Sequence, residues 1–258
     1  MTYPNFANKQ SEKSIVSPGD YVSYLEKIGK SPTYGPPECV IFCYSHRLLQ
    51  YIREYHPVTE VTGFVGEKYL LDDSGGKTLL VGNFGVGAPV VVTLLEELIA
   101  YGARKFISIG TAGTLQKDIN IGDIVVCDRA IRDEGTSHHY LSAAKYVSAS
   151  QQISKRLKRS LEKFNQPYVT GSSWTIDAPY RETIAEARAY QAEGVATVDM
   201  EAAALFAVAE YREVELGALF TISDSLADFT WDPNFHSQET QDGLETLYRV
   251  ALDASLAT

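Results

Sequence analysis

Apolar and polar positions change rhythm along the chain, and the rhythm predicts strands alternating with helices. The run ECVIFCY at 38–44 is short and β-rich, and RLLQYIREY after it sets Leu48, Leu49, Ile52 and Tyr55 at helical spacing. KTLLVGNFGVG places a buried strand before a glycine-rich turn; APVVVTLLEELIAYG then reads as a helix closed by Gly102. ARKFISIGTAGTL predicts another strand ending in a glycine turn, and INIGDIVVCDRAI a strand led in by Gly122-Asp123. An amphipathic helix over 148–164 precedes the strand QPYVTGSSWTI. VATVDMEAAALFAVAEY reads as a helix, ELGALFTISD as a strand and 238–256 as a C-terminal helix. This alternation predicts a central, largely parallel sheet covered by helices on both faces.

The rhythm is missing from residues 1–37, which are polar and broken by Pro4, Pro18, Pro32, Pro36 and Pro37, so they read as an extension lying on the surface. The remainder, 38–258, is expected to be a single catalytic domain, a size ample for a substantial core. A hydrophobic share of 45% with 22% charged residues fits a folded globular chain rather than a disordered one. The net charge of −10, with no run of Lys or Arg, excludes a phosphate-backbone footprint, so nucleic acid is not an expected partner. Cys39, Cys43 and Cys127 form no CxxC pair and suit a reducing compartment. No apolar h-region opens the chain and no stretch is long enough to span a bilayer, which makes the cytoplasm the expected location.

In open α/β sheets ligands lie beyond the carboxyl ends of the strands, where loops present backbone N–H groups. Three segments are candidates there: GNFGVGAP at 82–89, GTAG at 110–113, and Ser223-Asp224. Asp224 follows an apolar run, so partial burial can raise its pKa and let it donate a proton; the alternative is a helix N-cap. Glu201 sits among small apolar residues, where its carboxylate can accept two bonds from vicinal hydroxyls; the alternative is a solvated or ion-paired Glu. Adjacent His138 and His139 point apart and no third ligand is spaced for zinc, so no metal is expected. The spacing of Gly82, Gly85 and Gly87 is not G-x-G-x-x-G, which argues against a dinucleotide-binding dehydrogenase.

Taken in order, GNFGVG, IGTAG, INIGDIVV, AIRDEGTSHHY, VDMEAAAL and TISDS resemble the signature series of the nucleoside phosphorylase superfamily, which includes purine nucleoside phosphorylase, uridine phosphorylase and methylthioadenosine nucleosidase. The resemblance covers roughly residues 38–256. It implies a three-layer αβα sandwich with a mixed, largely parallel sheet, no cofactor, and a homo-oligomer whose sites lie near subunit interfaces. It also implies cleavage of the bond between a ribose and a nucleobase, with Asp224 protonating N7 of a departing purine and Glu201 holding the ribose hydroxyls. Met200 would pack under the sugar; Asp199, standing where relatives have Glu, would keep a polar role with less reach. Trp174, Ile176 and Tyr180 become candidates to enclose the base, Arg181 to read an oxo group, and His138, His139 or Tyr140 to reach a neighbour's site.

Against the family pattern, the phosphate-binding residues are missing. Ser108 stands where relatives carry an arginine, Tyr44 where they have the first-strand glycine, and the neighbouring subunit's arginine falls near Thr59 or Glu60. Pro18-Gly19-Asp20 imitates the phosphate motif but precedes the first core strand. Arg47 is one position from an expected arginine and is the candidate to rebuild an anion site with Gly87 and Thr111. The expected function is therefore purine-favouring nucleoside cleavage with phosphate or water as acceptor. The alternative is a relative that binds a nucleoside without cleaving it.

Overall fold

The computed structural model describes Phe6 and residues 8–257; the start of the expected N-terminal extension lies outside the described residues. The first α-helix, α1 (Pro18–Lys27), arises within the segment expected to lie on the surface as an extension. A capping box starts it: Ser17 Oγ accepts from the Asp20 N–H at 3.2 Å and Asp20 Oδ2 accepts from the Ser17 N–H at 2.8 Å. Pro18-Gly19-Asp20, the imitation of a phosphate motif, is thus a helix N-terminus. Leu25 of α1 is buried in the main core, so this helix is part of the packed body.

Among the described residues, eleven strands share one sheet. In chain order β1 (Cys39–Cys43) leads to α2 (His46–Tyr55), the hairpin β2 (Val58–Val61) and β3 (Glu67–Leu71), β4 (Thr78–Gly82), and α3 (Ala88–Tyr101). Next come β5 (Lys105–Thr114), β6 (Ile124–Asp133), β7 (Tyr146–Ser148), α4 (Gln151–Lys163), β8 (Val169–Ile176) and α5 (Ile184–Ala192). The chain ends with β9 (Thr197–Asp199), α6 (Ala202–Arg212), β10 (Glu215–Ser225), β11 (Asp232–Pro233) and α7 (Gln238–Leu256). Strands β4, β1, β5 and β10 run parallel at the centre, whereas β10 pairs antiparallel with β6.

Strand alternation distributes side chains to two helical layers. Val40, Phe42 and Phe106 join α3 and α6 on one face; Ile41, Ile107 and Leu219 join α2, α4 and α7 on the other. The chain is thus an αβα sandwich. Glu96 on α3 and Arg212 on α6 lock the first layer through a two-pronged ion pair, Nε to Oε2 at 2.7 Å and Nη2 to Oε1 at 2.8 Å.

Beyond the flat centre the sheet curls on itself. Strand β5 outruns β1, and its last residues Gly113 and Thr114 pair with Val198 and Thr197 of β9. Since β9 follows β8, β6 and β10 back to β5, five strands close a ring. The GTAG segment therefore lies within β5 and is not a turn.

Candidate active site

A cleft of about 690 Å³ opens at this ring, walled by the ends of β5, β9 and β10 and by residues 179–187 and 226–235. Small residues in β5 make room for it. A Cβ on Gly110 would come within 3.1 Å of the Tyr44 ring, and one on Gly113 within 3.0 Å of Asp224 Oδ2. The glycines of GTAG thus leave room for the Tyr44 ring and the Asp224 carboxylate.

Asp224 sits inside β10, level with Gly113 of β5, so the helix-cap alternative does not apply. Ser223 Oγ donates to its Oδ1 at 2.7 Å and Trp231 Nε1 donates to its Oδ2 at 3.0 Å. Burial raises its pKa while both bonds oppose the rise, because they stabilise the ionised form.

Glu201 occupies the N-cap position of α6, and its Oε1 accepts the Gly87 N–H at 2.5 Å, from the N-cap of α3. Glu201 thus stands at the start of one helix while its carboxylate meets the start of another. Gly87 has φ 99°, a left-handed backbone region that favours glycine. Its role is to hold Glu201 rather than to line the cleft. Burial, reinforced by the charge of Asp199, pushes Glu201 up to about 8.

Asp199 lines the cleft, but both its oxygens are engaged within the protein. Oδ1 accepts from Ser173 Oγ at 2.7 Å and Thr175 Oγ1 at 2.8 Å; Oδ2 accepts from the N–H groups of Glu201 at 2.8 Å and Ala202 at 2.7 Å. The shorter side chain braces the start of α6, with both oxygens already engaged.

Met200, Thr111, Ser223 and Tyr180 also line the cleft, Tyr180 fully exposed at its rim. Other expected residues lie elsewhere. Ser173 and Thr175 use the inner side of β8 for Asp199, which turns Trp174 and Ile176 to the opposite side, into a cluster with Ile131 and Val195. There Trp174 Nε1 donates to Asp133 Oδ2 at 2.8 Å, so neither residue encloses a base. Arg181 is exposed outside the cleft lining. Arg47, on α2, borders a separate small groove with Tyr51, Glu54 and Glu245, so it does not rebuild an anion site here. His139 lies beside Lys9 Nζ and is not part of the cleft lining.

Tyr44 occupies the corner next to Gly110. Its ring meets Phe84 edge-on with centroids 5.2 Å apart, and its hydroxyl accepts from the buried Ser108 Oγ at 3.4 Å. Burial, with the charge of Glu201 adding, raises its pKa and keeps the phenol neutral. Among the described residues the cleft lining holds four carboxylates, Glu182, Asp199, Glu201 and Asp224, and no Lys, Arg or His. Glu182 and Trp231 escaped the sequence reading because their segments carry no strand or helix rhythm; only the aromatic-rich string FTWDPNF hinted at a built wall.

A family model described as "Phosphorylase superfamily" matches residues 38–257. Among curated proteins the chain is 29% identical over 210 residues to a DeoD-type purine nucleoside phosphorylase from Exiguobacterium sp., covering 81% of this chain and 85% of the relative. It is 28% identical to a guanosine phosphorylase from Halorubrum lacusprofundi, covering 70% and 77%. Among solved structures, a purine nucleoside phosphorylase from Toxoplasma gondii superposes with TM-score 0.75 at 19% identity, covering 86% of this chain and 91% of that one. An AMP nucleosidase from Bacteroides thetaiotaomicron superposes with TM-score 0.70 at 21% identity, covering 90% and 96%.

Proposed function

The chain belongs to the phosphorylase superfamily, and from that premise we propose that it cleaves the N-glycosidic bond of a purine nucleoside with water as the acceptor. The relatives' names support nucleoside cleavage; the cleft's own chemistry supports the choice of acceptor. The observation that carries it is the cleft lining, where the neutral Tyr44 and Ser108 fill the corner beside Gly110 and, among the described residues, four acidic side chains stand with no cationic one. Inorganic phosphate is a multiply charged anion, and desolvating it beside carboxylates without a cationic partner is strongly unfavourable. Water carries no such penalty.

The same acidity suits the transition state. As the C1′–N9 bond breaks, its electron pair leaves with the base and positive charge develops on the ribose, which nearby carboxylates stabilise. Asp224 gives its proton to N7 of the departing purine, and Glu201 accepts hydrogen bonds from the ribose hydroxyls over Met200. Water adds to C1′ from the Tyr44 and Thr111 side, and the proton it loses restores the one given by Asp224. This chemistry needs no metal or organic cofactor. No helix among the described residues is long and apolar enough to cross a membrane. Homo-oligomerisation belongs to the same reading, supported by exposed Val86 and Val90 where α3 begins beside the cleft.

The test is free-base release from a nucleoside panel in phosphate-free and phosphate-containing buffer, with the sugar product identified by mass. Free ribose at equal rates in both buffers is the expected result. Ribose 1-phosphate formed only with phosphate would overturn water as the acceptor.

A further inference from the structure

Helix α1 buries Leu25 in the core and packs on α3, and its far end is closed by the Lys30 N–H, which donates to the Leu25 carbonyl at 2.9 Å. It is a fixed part of the body, although it precedes residues 38–257 and is no part of the family match. Its outer side is not that of a solvated helix. Tyr21, Tyr24 and the C-cap residue Ile28, at i, i+3 and i+7, form one exposed apolar stripe, with the Tyr21 and Tyr24 rings stacked at 6.4 Å between centroids. Ile15, fully exposed, and exposed Val16 come just before the helix. Single exposed apolar residues are ordinary; five within fourteen positions, three of them in one stripe, mark a contact surface.

The order of residues along the stripe says what covers it. Asp20 and Lys27 lie on one flank, seven positions apart, about 10 Å along the helix axis. Tyr21 and Ile28 are also seven apart, and both pairs centre within one residue of Tyr24. Asp20 uses Oδ2 for the capping box and leaves Oδ1 without a partner, and Lys27 makes no ion pair among the described residues. A two-fold axis at Tyr24 therefore sets Tyr24 on its copy, Tyr21 on Ile28 and Asp20 on Lys27. Each contact then occurs twice, as a closed two-fold interface requires. A membrane surface would ask for a polar face rich in Lys and Arg, whereas α1 sets Asp20 and Glu26 against Lys27 in a chain of net charge −10.

We propose that α1 is a self-association surface, packing antiparallel on α1 of a second copy about a two-fold axis at Tyr24, so that both stripes are buried and Asp20 pairs with Lys27 across the interface. The proposal does not depend on what the cleft does. Tyrosines at the centre of such a patch are suited to carry most of the binding, because they bury a large apolar area while the hydroxyl stays at the wet edge.

The experiment is sedimentation velocity over a micromolar concentration series for the wild type, Tyr24→Asp and Lys27→Glu, with an unfolding curve for each to show an intact fold. The wild type is expected to form an even-numbered assembly. Tyr24→Asp sets two carboxylates against each other on the axis and should split that assembly into smaller species, weakening association by about 30-fold or more. Lys27→Glu places a like charge opposite Asp20 and should weaken it by about threefold or more. Under mild oxidation Tyr24→Cys should give a disulfide-linked dimer, whereas Ser23→Cys, on another side of the helix, should not; Cys39, Cys43 and Cys127 are buried and do not compete. A monomeric wild type, or an assembly of unchanged size and strength in Tyr24→Asp, overturns the proposal. Wild-type association in Lys27→Glu, or crosslinking through Ser23→Cys as readily as through Tyr24→Cys, overturns the antiparallel packing and the proposal with it.

Discussion

The indole N–H of Trp231 donates to Oδ2 of Asp224 at 3.0 Å, so the proposed proton donor is steadied by a residue from the loop that walls the cleft. Trp231 is itself 64% exposed, and its loop is tied down by β11, where Pro233 pairs with Asp224 and Asp232 with Ser225. The bond stabilises the ionised carboxylate, so removing it raises the pKa of Asp224. A general acid must be protonated, and activity falls as pH rises through its pKa. Trp231→Phe is therefore expected to move the alkaline limb of the kcat/KM profile upward, and an unmoved limb would deny the contact a role in tuning the acid.

Asp224→Asn removes the transferable proton while keeping size and hydrogen-bonding shape. Loss of general acid catalysis at this position is expected to lower kcat for purine nucleosides by about 10²–10⁴-fold with binding retained. Near-normal turnover, measured by base release with an unfolding curve as control, would sink the assignment.

Asp199→Asn tests the brace. One of its two amide ends would lose its match in this buried site: with the oxygen kept on the N–H groups of Glu201 and Ala202, Nδ2 faces the Ser173 and Thr175 hydroxyls that now donate to Asp199. The expected cost is about 1–3 kcal/mol of stability, read by denaturant unfolding, together with a raised KM as Glu201 loses its placement. An unchanged stability would show that the four bonds to Asp199 are dispensable.

The cleft carboxylates also make stability depend on pH. Burial, with the charges of Asp199 and Asp224 adding, raises Glu201 to about 8 and Glu182 to about 7, both above the usual 4.5. The folded state therefore binds more protons than the unfolded one between pH 4.5 and 8, and stability falls as pH rises through that window. Thermal scans of the ligand-free protein should show the midpoint dropping from pH 5 to pH 8, at about 2–4 °C per kcal/mol for a chain of this size. In Glu201→Gln the drop should be smaller; an identical slope would place the titration elsewhere.

The sandwich was legible because its main elements bury whole faces: β1, β4, α3 and α7 show in the apolar rhythm almost to the residue. Short elements were not. The three residues of β9 read as the start of α6, since VATVD and EAAAL run together without a break in polarity. The β2–β3 hairpin has half-exposed positions in β2 and no tight-turn dipeptide, so neither periodicity nor turn chemistry marks it. Helix α1 hides behind prolines, one of which in fact starts it, as proline at the first helical position does.

For the site, the sequence by itself determined which residues stand in the motifs: Asp224 after its apolar strand, Glu201 after Met200, and Tyr44 and Ser108 where the resemblance implies glycine and arginine, respectively. The tertiary structure decided which of them meet. It closed β5 onto β9, bringing Gly113 against Asp224, turned Trp174 and Ile176 to the far side of β8, left Arg47 on another surface, and set Glu182 in the same cleft as Asp224. The physical reason is that motifs and periodicity report local backbone and burial, whereas a binding cleft is made by strand register and ring closure, which bring together residues more than a hundred positions apart.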